Sequence, residues 1–136
     1  MKVHTTNYEN TLIQIADDCP VNVSEIPPVK GKRSAVNIQY EMISKHPYKY
    51  TSDDVLFQVY AEKNDLTEKE YKAEREKFFS KGQPCLRCSP LTKRYGWGVH
   101  SNEKGKIALF GCETAEYKKL SKDKSLKTVK AMKTSR

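Results

Sequence analysis

No run in this 136-residue chain approaches the roughly 18 consecutive apolar residues that a membrane-spanning helix requires. The opening residues, Met1-Lys2-Val3-His4-Thr5-Thr6-Asn7, lack the apolar core of a secretory signal, so a cytosolic setting with reduced thiols is expected, and no membrane partner. There is no glycine-rich phosphate loop, no Gly-x-Ser-x-Gly elbow and no His-Glu-x-x-His helix, and these absences argue against the familiar enzyme classes built on them. Internal repeats are lacking too. The one compositional bias is lysine near the C-terminus.

What is present fits one domain, long enough to bury a core without a metal or disulfide. The charged fraction, 31%, is high against 37% hydrophobic residues, which predicts a thin core under a well-solvated surface, part of it built from the eight tyrosines. The net charge of +8 is uneven: residues 113–136 carry eight Lys or Arg against three acids, a net +5, which leaves +3 for the first 112. The expected organisation is a single domain over 1–120 and a basic tail over 121–136. A basic excess confined to a tail points less strongly to nucleic acid than a basic face on the folded body.

Alternation in Thr11-Leu12-Ile13-Gln14-Ile15-Ala16 predicts a strand, stopped by Asp17-Asp18-Cys19-Pro20. Residues 20–33, with Pro27-Pro28 and Gly31, suit an exposed connection. Ser34 caps a helix over 35–45, with Val36, Tyr40 and Ile43 on one face. Thr51 and Ser52, followed by Asp53 and Asp54, open a second helix to about Lys63. Thr67 and Glu70 form a capping-box pattern for a third over 67–81, most of it facing water. A hairpin then follows, with strands 94–100 and 106–112 around a turn at Asn102–Gly105. In that register Val99 faces Ala108, Trp97 faces Phe110 and Tyr95 faces Cys112. One face is then aromatic, and the other holds Gly96, Gly98, His100, Ile107, Leu109 and Gly111. A short helix around Thr114–Leu120 precedes the tail, where Leu126, Val129 and Met132 recur at a spacing that suits only a marginal amphipathic helix.

The chemistry-bearing residues crowd between Pro84 and Cys112. Cys85 and Cys88 have the spacing that lets two thiolates reach one metal or each other, and His100 and Cys112 complete a four-ligand zinc set on paper. A companion close-spaced pair is missing, so small, partly buried thiols are the plainer reading. Pro84 before the pair and Pro90 after it favour a loop over the helix start of a thioredoxin-like site. Arg87, Lys93, Arg94, Tyr95 and Trp97 mix basic groups with rings, the combination that holds phosphates while stacking on flat groups. His100, at a strand end, is placed for general-base work near neutral pH, although a structural histidine is the simpler account.

Several segments together resemble a known group. They are His4-Thr5-Thr6-Asn7-Tyr8, Asp18-Cys19-Pro20, Ile26-Pro27-Pro28, Ile38-Gln39-Tyr40-Glu41, the run from Pro47 to Phe57, and Ser89-Pro90-Leu91-Thr92-Lys93-Arg94-Tyr95-Gly96-Trp97-Gly98. The chain is similar to small bacterial proteins classed as a domain of unknown function, up to about Tyr117. The resemblance implies a bacterial, cytosolic, single-domain protein and brings no catalytic residue or cofactor.

These readings predict an α+β domain in which a small antiparallel sheet, containing 11–16 and the C-terminal hairpin, packs against three or four helices. The leading expectation for function is a binding module for an anionic or aromatic ligand at Arg87, Arg94, Tyr95, Trp97 and His100. The alternatives are a small enzyme using His100 or a cysteine, and an interaction protein whose basic tail meets nucleic acid or an acidic partner.

Overall fold

A computed structural model describes residues 4–133 and shows an α+β fold. Its helices start where the capping residues say they should. Ala35–Lys45 (α1) follows Ser34, whose backbone N–H donates to the Asn37 carboxamide at 2.9 Å. Ser52–Lys63 (α2) opens on a reciprocal cap: Thr51 N–H donates to Asp54 at 3.0 Å and Asp54 N–H donates to the Thr51 hydroxyl at 3.2 Å. Burial pushes the Asp54 carboxyl up, but the Thr51 N–H and the Arg75 guanidinium, 2.9 Å away, outweigh it and hold the group below its ordinary range. The N-terminal segment closes over this helix end, with Thr6 N–H and hydroxyl both 2.7 Å from Asp53 Oδ1 and the Asp53 N–H donating to Asn7 at 2.9 Å. Glu68–Phe78 (α3) starts at the Thr67–Glu70 box and ends three residues before the expected 81, with Phe79 as its cap.

The sheet departs from expectation in two ways. Strands Thr11–Gln14 (β1), Trp97–Ser101 (β2), Ile107–Gly111 (β3) and Lys127–Lys130 (β4) lie in the order β3-β2-β1-β4. β4 pairs parallel with β1, so the sheet is mixed, where a purely antiparallel one was expected. The lysine-rich segment whose spacing suggested a marginal helix therefore supplies an edge strand. Its Ala131 is 4% exposed, and the final positions of the predicted tail, 134–136, lie outside the described residues. Between the segment and β3 runs Ala115–Lys122 (α5), close to the expected short helix.

The second departure is one residue of register. Trp97 pairs with Gly111, Gly98 with Phe110 and Val99 with Leu109, one place from the predicted partners. Asn102 N–H donates to Lys106 C=O at 2.9 Å, leaving Glu103-Lys104-Gly105 as a three-residue tip with Gly105 at φ +77°. Since side chains alternate, that single step regroups both faces of the hairpin. Trp97, Val99, Ile107 and Leu109 share one face, and Gly98, His100, Ala108 and Phe110 share the other.

The first face buries Ile13, Val99 and Ile107 against Ile43 of α1, Val55 of α2, Leu86 and Leu91. Leu91 belongs to Pro90–Lys93 (α4), a single turn with proline at its start, and Leu86 to a 3-10 turn, Leu86–Cys88. A satellite cluster of Phe57, Ala61 and Phe79, with Tyr60, Tyr71 and Phe78, joins α2 to α3. Its rings meet edge-on, Phe57 to Tyr71 at 4.9 Å and Phe78 to Phe79 at 4.8 Å. On the opposite sheet face α5 covers the glycine surface, laying the Tyr117 ring over Gly98 while its hydroxyl accepts from Ile15 N–H at 3.0 Å.

Candidate functional site

The five residues singled out from the sequence do not share one concavity. Trp97 donates from Nε1 to Glu25 C=O at 2.8 Å and lies 5.5 Å from the Tyr40 ring, while Tyr95 C=O accepts from Glu25 N–H at 2.9 Å. The Trp97 side chain and the Tyr95 backbone thus fasten the 20–33 connection to the body. Arg94 is exposed, and Arg87 donates from Nε to Lys130 C=O at 2.6 Å, at the far edge of the sheet. His100 sits on the face opposite Trp97, with Nδ1 2.8 Å from the Tyr48 hydroxyl.

His100 is also half-buried. Burial lowers its pKa below the ordinary 6.5, against a smaller opposing pull from Asp123. The folded form resists the proton that the unfolded chain accepts, so stability is full at higher pH and declines as pH falls below about 6.5. A His100→Gln variant is expected to show a shallower loss of thermal midpoint between about pH 7 and pH 5 than the parent. Parallel melting curves for the two proteins would remove this assignment.

The zinc set also separates. Cys85 lies 3.7 Å from the Tyr8 hydroxyl, Cys112 lies against Gly96 and feels Cys19, and His100 faces Tyr48. Among the described residues no group of three or more His, Cys, Asp or Glu side chains is placed to hold a metal ion.

What the fold does build is a cleft of about 310 Å³ between α2, the end of α3 and the segment from Gln83 to Pro90. It exists because α2 carries apolar residues on every side. Val55 enters the main core and Phe57 and Ala61 enter the satellite cluster, while buried Val59, together with half-buried Leu56 and Tyr60 packed against those clusters, forms the wall of the cleft. Phe78 closes one end. The facing wall is the proline-flanked cysteine segment, with Cys85 half-buried and Cys88 exposed.

Polar groups in the cleft are few and held. Gln39, 7% exposed, accepts from the Ser89 hydroxyl at 2.6 Å, which leaves its NH2 as the donor it can offer a ligand. Gln83 donates to Phe78 C=O at 2.8 Å and so fixes the rim at the end of α3. Lys63 is exposed at the mouth, and a second depression of about 500 Å³ that shares Tyr60, Phe78 and Gln83 continues past Lys77 and Lys81.

A family model described as "Family of unknown function (DUF6157)" matches residues 3–136. The chain belongs to that family. No curated protein and no solved structure matches it. In this DUF6157 member the segments that carried the resemblance meet in space: His4–Tyr8 closes the start of α2, and Gln39 meets Ser89. Among the described residues, no helix is long and apolar enough to cross a membrane.

The cysteine pair falls in the stretch that the sequence singled out, but Gln39, Leu56, Val59, Lys63, Phe78 and Gln83 were not foreseen as its neighbours. One signal was available. α2 has more apolar residues than a single buried stripe needs, and the surplus is the cleft wall.

Proposed function

We propose that the protein is a binding module whose site is the cleft between α2 and the Gln83–Pro90 segment, and whose ligand has a flat apolar body and an anionic group. The observation that carries this reading is the apolar wall of Leu56, Val59 and Tyr60 lining the cleft, with exposed Lys63 beside it. Small-molecule sites are typically concave, mostly apolar and furnished with a few fixed polar groups, which Gln39 and Gln83 supply here. The lysines along the adjoining depression suit the anionic end. This keeps the ligand class expected from the sequence and moves its site away from Trp97 and His100. A bacterial, cytosolic setting belongs to the same proposal and agrees with four free cysteines.

The test uses 1-anilinonaphthalene-8-sulfonate, which has both features. Its fluorescence is expected to rise saturably with the folded protein. Lys63→Glu should weaken binding about fivefold, and Cys88→Trp, which sets an indole at the mouth, should weaken it more. Equal binding by all three proteins would remove the proposal.

An interaction role for the basic segment is a weaker reading, since Lys130 is paired with Asp17 at 2.9 Å and the backbone there is an edge strand. A reactive cysteine has support of its own.

A further inference from the structure

We propose that Cys85 and Cys88 form a thiol–disulfide exchange site that takes a low-molecular-weight disulfide from the cleft. The proposal does not depend on the anionic-ligand reading: a protein that ignored the naphthalene sulfonate would still exchange.

The turn between the two thiols is already closed. Cys88 N–H donates to Cys85 C=O at 3.0 Å, the hydrogen bond of a tight turn, which holds the two Cα atoms within about 7 Å. A disulfide spans about 4.4 to 6.8 Å between Cα atoms, so little movement is needed to join them. Both intervening residues are immobilised. Leu86 is 1% exposed in the main core and its carbonyl accepts from the Thr92 hydroxyl at 2.8 Å, while Arg87 is tied to β4 through Lys130 C=O and Met132 N–H. The pair therefore loses little further freedom when it closes.

The two sulfurs differ in access, and that difference assigns their roles. Cys88 is exposed at the cleft mouth, whereas Cys85 is half-buried with its sulfur 3.7 Å from the Tyr8 hydroxyl. Burial first, and then the Cys85 thiol, raise the Tyr8 pKa, so the hydroxyl keeps its proton and can donate it in a hydrogen bond to a thiolate at Cys85. The Arg87 charge acts on the same hydroxyl.

In the first step the Cys88 thiolate attacks one sulfur of R–S–S–R, the S–S bond breaks, and RS⁻ leaves with the electron pair. In the second, the Cys85 thiolate attacks the Cys88 sulfur of the mixed disulfide and expels the other RS⁻. The two protein thiols are oxidised to one disulfide, the small disulfide is reduced to two thiols, and the two protons lost by the cysteines end on the two RSH. The reverse sequence reduces the protein.

The experiment uses the full chain and glutathione disulfide as the probe, read by intact mass and by peptide mapping after alkylation. The parent protein is expected to lose two hydrogens and to yield a bridged Cys85–Cys88 peptide that dithiothreitol restores. Cys85→Ser should stop at a stable adduct of one glutathionyl group on Cys88, and Cys88→Ser should react about tenfold more slowly. Tyr8→Phe should lengthen the life of the mixed disulfide without slowing its formation. A parent that stays reduced or stops at the mixed adduct, a bridge between Cys19 and Cys112, or equal rates for the two serine variants would overturn the proposal. Melting curves showing both serine variants folded make those rates comparable.

Discussion

A chain truncated after Ser125 is expected to lose its cooperative fold or to melt on the order of 15 °C lower than the full protein. β4 lies beside β1, which is the strand that links the hairpin to the rest of the sheet. Removing it strips the backbone hydrogen bonds that Lys127 N–H donates to Asn10 C=O and Ala131 N–H donates to Gln14 C=O, each 2.9 Å. It also exposes the core around Ala131 and Val129, frees Arg87 from Lys130 C=O, and breaks the ion pair of Lys130 with Asp17 at 2.9 Å. Hydrogen bonds of this kind contribute about 1 kcal/mol each and buried apolar area about 25 cal/mol per Å², so the loss is about 4 kcal/mol. Domains of this size hold about 5 to 15 kcal/mol in all, so the effect is a large share of the total. An unchanged midpoint for the truncated chain would mean that β4 does not dock in solution.

Gly98→Val is expected to destabilise the protein by about 3 kcal/mol. A Cβ at this position would stand 2.5 and 2.7 Å from the Tyr117 ring and 3.3 Å from Ile13 C=O. The ring cannot swing aside freely, because its hydroxyl accepts the Ile15 N–H and α5 carries it. Two comparisons make the cause specific. Gly82→Ala, where the nearest atom to an added Cβ is 4.0 Å away, should cost less than about 0.5 kcal/mol. Pairing Gly98→Val with Tyr117→Ala should cost less than the sum of the single changes, since the second removes what the first strikes. Additive costs would show that α5 does not press on the glycine face.

Both predictions concern features that the sequence hid for physical reasons. Helix starts were legible because their signals are local: Thr51 with Asp54 and Thr67 with Glu70 each satisfy backbone N–H groups within one turn, whatever packs above them. The register of the hairpin was less so. Asn102-Glu103-Lys104-Gly105 reads as a four-residue turn, yet Asn102 pairs with Lys106 and only the last three residues form the tip. Counting to the wrong residue moved Trp97 and Phe110 from opposite faces onto one. β4 was harder still, since its parallel partner lies more than a hundred residues away and the three-residue spacing of Leu126, Val129 and Met132 resembles a helix.

The candidate site was legible in part for the same reason. Cys85 and Cys88 drew attention through spacing alone, and their flanking prolines argued for a loop. The structure places them in a rigid turn within that loop. The apolar wall opposite them comes from α2, some 25 residues earlier in the chain, where Phe57 enters a second cluster and Leu56, Val59 and Tyr60 line the cleft. Trp97 and Tyr95 have the composition of a ligand platform, but the Trp97 indole N–H and the Tyr95 backbone carbonyl are used to hold residue 25. A sequence shows which groups are available and not which of them the fold has already spent.

The most direct measurement of the proposed site is a titration of the isotope-labelled protein with 1-anilinonaphthalene-8-sulfonate, followed through backbone amide resonances. The cleft account predicts saturable shifts concentrated at Leu56, Tyr60, Lys63, Gln83, Cys85 and Cys88. Shifts centred on Tyr95, Trp97 and His100, or none that saturate, would contradict it.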